Sequence, residues 1–203
     1  MNVKKQRGRP CAVLGATLLM LLPVLASAHQ EAGQTAGFVA GLAHPVSGFD
    51  HVVAMIAVGL WGAVLGPPAI WVLPVAFPMM MAFGGLMGLL GIPVPGIEIG
   101  IAVSAIVLGA MVLVQVRPPL WVAAVLVAIF AIFHGYAHGR ELPAGGNALL
   151  YSLGFVIATG LLHLVGILLG EAHRWAMGRR IVRAAGGGIA LTGLFFLWRA
   201  VVA

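Results

Sequence analysis

The chain predicts an all-α fold: a polytopic membrane helix bundle of six transmembrane helices following a cleaved signal peptide. Three observations carry that expectation. Apolar residues make up 62% of the chain and charged residues 8%, where a soluble domain carries about 25% charged residues. The mean hydropathy is +1.10. Apolar stretches of the length a spanning helix needs recur along the chain, and prolines fall between them.

In order along the chain, the first 28 residues read as a secretory signal. Lys4, Lys5, Arg7 and Arg9 form a basic head, Cys11 to Ala26 is mostly apolar, and Ala26-Ser27-Ala28 is a small-residue cleavage pattern. The remainder, 29–203, reads as a single membrane domain. A polar stretch from His29 to Thr35 leads into six apolar segments, expected at 50–65, 69–90, 97–116, 120–138, 148–170 and 184–202. The first is short, and 38–43 extends it beyond a break expected at Pro45 and Gly48. Pro67-Pro68, Pro93, Pro95, Pro118-Pro119 and Pro143 punctuate the connections.

Charge reports topology more than partners. Four of the eleven Lys and Arg residues lie in the signal, so the mature chain holds seven against five acids, a net of +2. No basic run with interleaved aromatics points to nucleic acid. Removal of the signal takes the single cysteine, Cys11, with it, which excludes disulfides and thiolate metal sites. Arg174, Arg179, Arg180 and Arg183 crowd the link between the fifth and sixth segments, and Arg117 lies between the third and fourth. The positive-inside rule makes both links cytoplasmic. Counting back puts the mature N-terminus outside, as a cleaved signal also requires. The expected location is a bacterial inner membrane with a periplasmic N-terminus.

Against that topology, ionisable residues collect at the outer face. His44, Asp50 and His51 start the first helix, Glu98 starts the third, and His134, His138 and Glu141 end the fourth. His29 becomes the new N-terminal residue. Ionisable groups within spans are costly and mark sites or pathways. Imidazole and carboxylate without thiolate suit a divalent cation of borderline hardness.

Each motif also has a plainer account. His134 and His138 are four residues apart, hence on one helix face, and Gly135 and Gly139 leave room for a close neighbour or a hydrated ion. The plainer account is a hydrogen-bonded pair closing a helix end. Asp50 sits where an N-cap would form, though capping leaves His44 and His51 unexplained. Glu98 in a first turn complements the helix dipole. His163 reads most simply as a core histidine, with a relay role as the alternative. Met79-Met80-Met81 point in different directions around a helix and read as packing. Pro74 and Pro78 flank Phe77 in the second helix, and Gly84, Gly85, Gly88 and Gly91 read as close-contact positions.

The sequence His44-x5-Asp50-His51 and the run Phe133-His134-Gly135-x-Ala137-His138-Gly139-x-Glu141 resemble the HupE/UreJ family of nickel permeases, over essentially the whole mature chain. The resemblance implies secondary uptake of Ni²⁺ beside a hydrogenase or urease system. It implies that the residues of both motifs and Glu98 serve recognition or passage. Co²⁺ binds the same donors and remains an alternative substrate. The expected metal set is therefore His44, Asp50, His51, Glu98, His134, His138 and Glu141, with His29 and His163 as outlying members. No resident cofactor and no enzymatic activity are expected, and the partners are the cation and the bilayer. Two rivals use the same residues: a membrane-embedded haem electron-transfer protein, and a zinc hydrolase with Asp50 or Glu141 as general base.

Overall fold

The computed structural model describes residues 34–140 and 147–202. The expected signal peptide, His29 and Glu141 lie outside the described residues. Among the described residues the chain is helical throughout, without strands. The elements are α1 (Gln34–Ser47), α2 (Phe49–Leu65), α3 (Ala69–Leu89), α4 (Ile97–Val114), α5 (Leu120–Arg140), α6 (Ala148–Gly170), a 3₁₀ turn (Glu171–Arg174) and α7 (Ala176–Val202). Helices α3 to α7 are each long and apolar enough to cross a bilayer, and α1 with α2 form a pair bent by 81°. The protein is an all-α polytopic membrane bundle, with five continuous spans among the described residues, six with the bent pair counted.

Two boundaries differ from the expectation. The first break falls at Gly48, not Pro45. Pro45 lies within the last turn of α1, so only the Gly41 carbonyl loses its helical donor, and the helix runs on to Ser47. At the other end of the chain, α7 begins at Ala176, eight residues before the expected 184. Its first two turns carry Arg179, Arg180 and Arg183, all exposed. Arg183 Nε donates to the Leu113 carbonyl at the end of α4, 2.9 Å away. This is a favourable place for a cation, since unpaired carbonyls end the helix.

Helix α2 runs through the centre. Between Val53 and Val64 every residue but Ile56 is buried, and α2 packs on α3, α4, α6 and α7. The outward faces of the other helices are apolar: Trp71 and Met79 on α3, Trp121 on α5, Leu191 and Trp198 on α7. That is the arrangement of a chain whose solvent is lipid.

The tightest pairs are α3 with α5, α4 with α7, and α2 with α6. Glycine sets the first. A Cβ at Gly135 would collide with the Met81 carbonyl, and one at Gly139 with the Gly85 carbonyl. The motif glycines of α5 thus seat that helix on the backbone of α3, the close approach that small residues permit in membranes. Gly84 and Gly88 answer from α3, against Ile132 and Tyr136. Gly91 does not belong to this seam: its φ is +68° and nothing approaches it, so it serves the turn after α3. Of the three consecutive methionines, Met79 is exposed and Met81 buried, as packing in divergent directions requires.

Candidate metal-binding site

The sharp bend at Gly48 brings the end of α1 and the start of α2 over the bundle. Gly48 is the N-cap of α2, with extended backbone and no side-chain cap. The expected N-cap role of Asp50 is therefore corrected: Asp50 sits in the first turn and turns its carboxylate to His51. Asp50 Oδ1 accepts from the His51 backbone N–H at 2.9 Å and lies 3.0 Å from His51 Nδ1. A side chain on residue 48 would meet both groups at 3.0 Å. Gly96 is the N-cap of α4, and its φ of +68° turns the chain so that Glu98 enters the first helical turn. His134 and His138 lie in the last two turns of α5.

These ends meet around one cavity of about 240 Å³, lined by His44, Ser47, Asp50, His51, Glu98 and His138, together with Gly48, Ile101 and Ala137. Three imidazoles and two carboxylates come from α1, α2, α4 and α5, and among the described residues no Lys or Arg lines the space. The volume admits several waters, hence a cation that keeps part of its hydration shell. Polarity is graded by depth: Glu98 and Ser47 are exposed, His44 and Asp50 half-buried, His51 and His138 buried. The His138 ring is packed 4.7 Å from His44, 4.3 Å from His51 and 4.4 Å from Phe155, centroid to centroid. Among the described residues no three His, Asp or Glu side chains surround a single point as the ligands of a held ion do. The donors line a chamber.

The hydrogen bonds assign two tautomers. With Asp50 on Nδ1, His51 carries its proton there and leaves Nε2 as a lone-pair donor, a buried atom with no hydrogen-bond partner among the described residues. A carboxylate that fixes an imidazole in this way is the usual outer support of a metal-binding histidine. His134 lies beneath the cavity and does not line it. It is fully buried, 4.8 Å from His51 between ring centroids. Ser104 Oγ spends its proton on the Ile101 carbonyl at 2.6 Å, so it accepts from His134 Nε2–H at 2.8 Å. His134 Nδ1 is then a second buried lone pair without a partner.

His163 stands apart, deeper on α6, where its ring is 5.3 Å from that of Phe77. Sequence reading passed over Ser104, although a signal was present: it is the one polar side chain between Glu98 and Gln115. It also passed over Tyr151 and Phe155, which wall the cluster from α6 with ring centroids 5.8 and 6.3 Å from His44. Aromatics in an apolar helix carry no signal of that kind.

Fold and site together define a multi-pass α-helical membrane protein with a polar, anion-rich chamber at one end of the bundle. A family model described as HupE / UreJ protein matches residues 17–196. The chain is 44% identical over 182 residues to Protein HupE of Rhizobium leguminosarum bv. viciae, covering 89% of this chain and 95% of that protein. This chain belongs to the HupE/UreJ family. No solved structure matches it.

Proposed function

We propose that the protein is a secondary transporter that takes up Ni²⁺, with Co²⁺ as the alternative cargo, and supplies nickel to hydrogenase or urease maturation. One observation carries the reading: donors from four helices, three imidazoles and two carboxylates, line a single chamber, with no cationic side chain among the described residues that wall it. Membership of the HupE/UreJ family supports a metal-transport role.

In this reading the mouth of the chamber faces the periplasm across the inner membrane, the signal is removed at Ala28, and the freed N-terminus stays outside. Glu98 at the rim attracts the dication. Asp50 balances its charge and aims His51, while His44 and His138 replace waters of the hydration shell. Glu141 and His29 are further donors to the cation in this reading. A chamber whose donors do not close on one point suits passage, which requires binding weak enough for release. Movement of a dication into a negative interior gains about 4.6 kcal/mol per 100 mV, a gradient of more than a thousandfold.

Uptake of ⁶³Ni²⁺ into proteoliposomes under an inside-negative potential tests the function, with Co²⁺ and Zn²⁺ as competitors. Saturable uptake, suppressed by Co²⁺ more than by Zn²⁺, is expected. A well-folded protein that moves no Ni²⁺ or Co²⁺ refutes the reading.

A further inference from the structure

A second group of polar atoms lies deeper in the bundle, away from both motifs. Thr159 and His163 are one turn apart on α6, on the same face, and are 0% and 1% exposed. Among the described residues Thr159 Oγ1 has no hydrogen-bond partner, and the His163 ring has none beyond a carbonyl of α3. The Pro74 carbonyl of α3 lies against the His163 ring. That carbonyl lacks its helical donor, because the residue that would bond it one turn on is Pro78, which has no N–H, and the His163 ring takes that place. An imidazole, the carbonyl it faces and a hydroxyl one helical turn away thus lie in an otherwise apolar core.

Such groups are expensive. Each buried polar atom left unsatisfied costs about 1–3 kcal/mol, and folded proteins keep few of them without water, an ion or a function to account for them. Histidines within spans that face the bundle interior mark ion pathways. At about 1.5 Å per residue, His163 lies roughly 22 Å along α6 from Ala148, well below the chamber. A chain of ring contacts joins the two levels. His134 lies 4.8 Å below His51, Phe77 is 5.7 Å from His134, and His163 is 5.3 Å from Phe77. Phe77 is fully buried between the histidines.

We propose that His163, Thr159 and the Pro74 carbonyl form a second, inner station for the transported divalent cation, below the chamber and separated from it by Phe77. The proposal rests on the transport reading. The station offers one nitrogen and two neutral oxygens and no carboxylate, so it holds the cation less firmly than the chamber does. Weaker binding further in favours onward movement.

The test compares His163→Cys with His163→Phe and His163→Leu in proteoliposomes, measuring ⁶³Ni²⁺ uptake at a fixed inside-negative potential. Cysteine keeps a metal donor in a smaller side chain, whereas phenylalanine and leucine fill the space without one. The expected result is a maximal rate at least tenfold lower for every apolar variant that elutes as the wild type does. The Cys variant should retain a third or more of the wild-type rate. Half-saturating Ni²⁺ should stay within about twofold wherever uptake is measurable, because the chamber is untouched. A packing role for His163 predicts the opposite order. Wild-type rates in an apolar variant, or a Cys variant as slow as the apolar ones, overturn the inner station and leave transport standing. A wild type that moves no cation removes the transport reading and the station together.

Discussion

Replacing Asp50 by Asn removes one negative charge from the chamber and leaves its shape almost unchanged. The Asn oxygen still accepts from the His51 backbone N–H, so the start of α2 keeps its local bonds. Two unit charges 4 Å apart interact by about 1 kcal/mol in water and about 4 kcal/mol at an effective dielectric of 20, values that double for a dication. The Asp50 side chain retains 26% of its exposure, so the bulk-water figure of about 2 kcal/mol serves as the lower bound. At tenfold per 1.4 kcal/mol, half-saturating Ni²⁺ should rise by at least about 30-fold. Initial rates of ⁶³Ni²⁺ uptake over four decades of concentration, at low and physiological salt, measure the shift. A half-saturation within threefold of wild type would refute the placement of Asp50 beside the ion.

Other perturbations separate rim, seam and far end. Glu98→Gln should raise half-saturating Ni²⁺ only a few-fold, and the effect should fade at high salt, because an exposed charge is screened over about 8 Å at physiological ionic strength. Gly135→Ala places a methyl against the Met81 carbonyl and should destabilise the α3–α5 pair by about 1–3 kcal/mol; an unchanged unfolding midpoint in detergent would contradict it. Ser104→Ala strands the His134 Nε2–H in the core at a cost of about 1–3 kcal/mol, visible as a lowered midpoint with the chamber donors intact. Trp61→Phe removes the 3.1 Å bond from Nε1 to the Val116 carbonyl at the opposite end of the bundle. It should cost about 1 kcal/mol of stability and leave half-saturating Ni²⁺ unchanged.

Much of the bundle is legible in the sequence because hydropathy and proline act on the same boundaries. The expected segments at 69–90, 97–116 and 148–170 differ by at most two residues from α3, α4 and α6. The failure at α7 is informative. Hydropathy measures how much of a helix is apolar enough for lipid, whereas the first turns of α7 carry Arg179, Arg180 and Arg183, the last of which caps α4. Proline misled at Pro45 for a related reason: one turn from a helix end it removes little, and the glycine three residues on makes the bend.

At the site, residue types and spacing bring attention to His44, Asp50, His51, Glu98 and His138, which line one chamber. Depth is not written in spacing. His134 and His138 share a helix face, yet one turn of helix is enough to put His138 on the chamber wall and His134 beneath it, bonded to Ser104. The pairing of Asp50 with its own neighbour was also hidden, because adjacent residues on a helix normally point apart and this pair meets only in the first turn.

The bend at Gly48 gives the two motifs different tolerance to insertion and deletion. On α5, one added residue between His134 and His138 would swing one imidazole about 100° around the axis, away from its partner. Between His44 and Asp50 no such phase is transmitted, because the continuous helix is interrupted there. Helix α1 takes its rotation from its seat on α6, where Gly41 meets Tyr151, and α2 takes its own from Gly59 against His163 and Gly166. Only Gly48 lies outside both helices, and a residue added at that joint would alter reach while leaving the angular setting of both helices as it was.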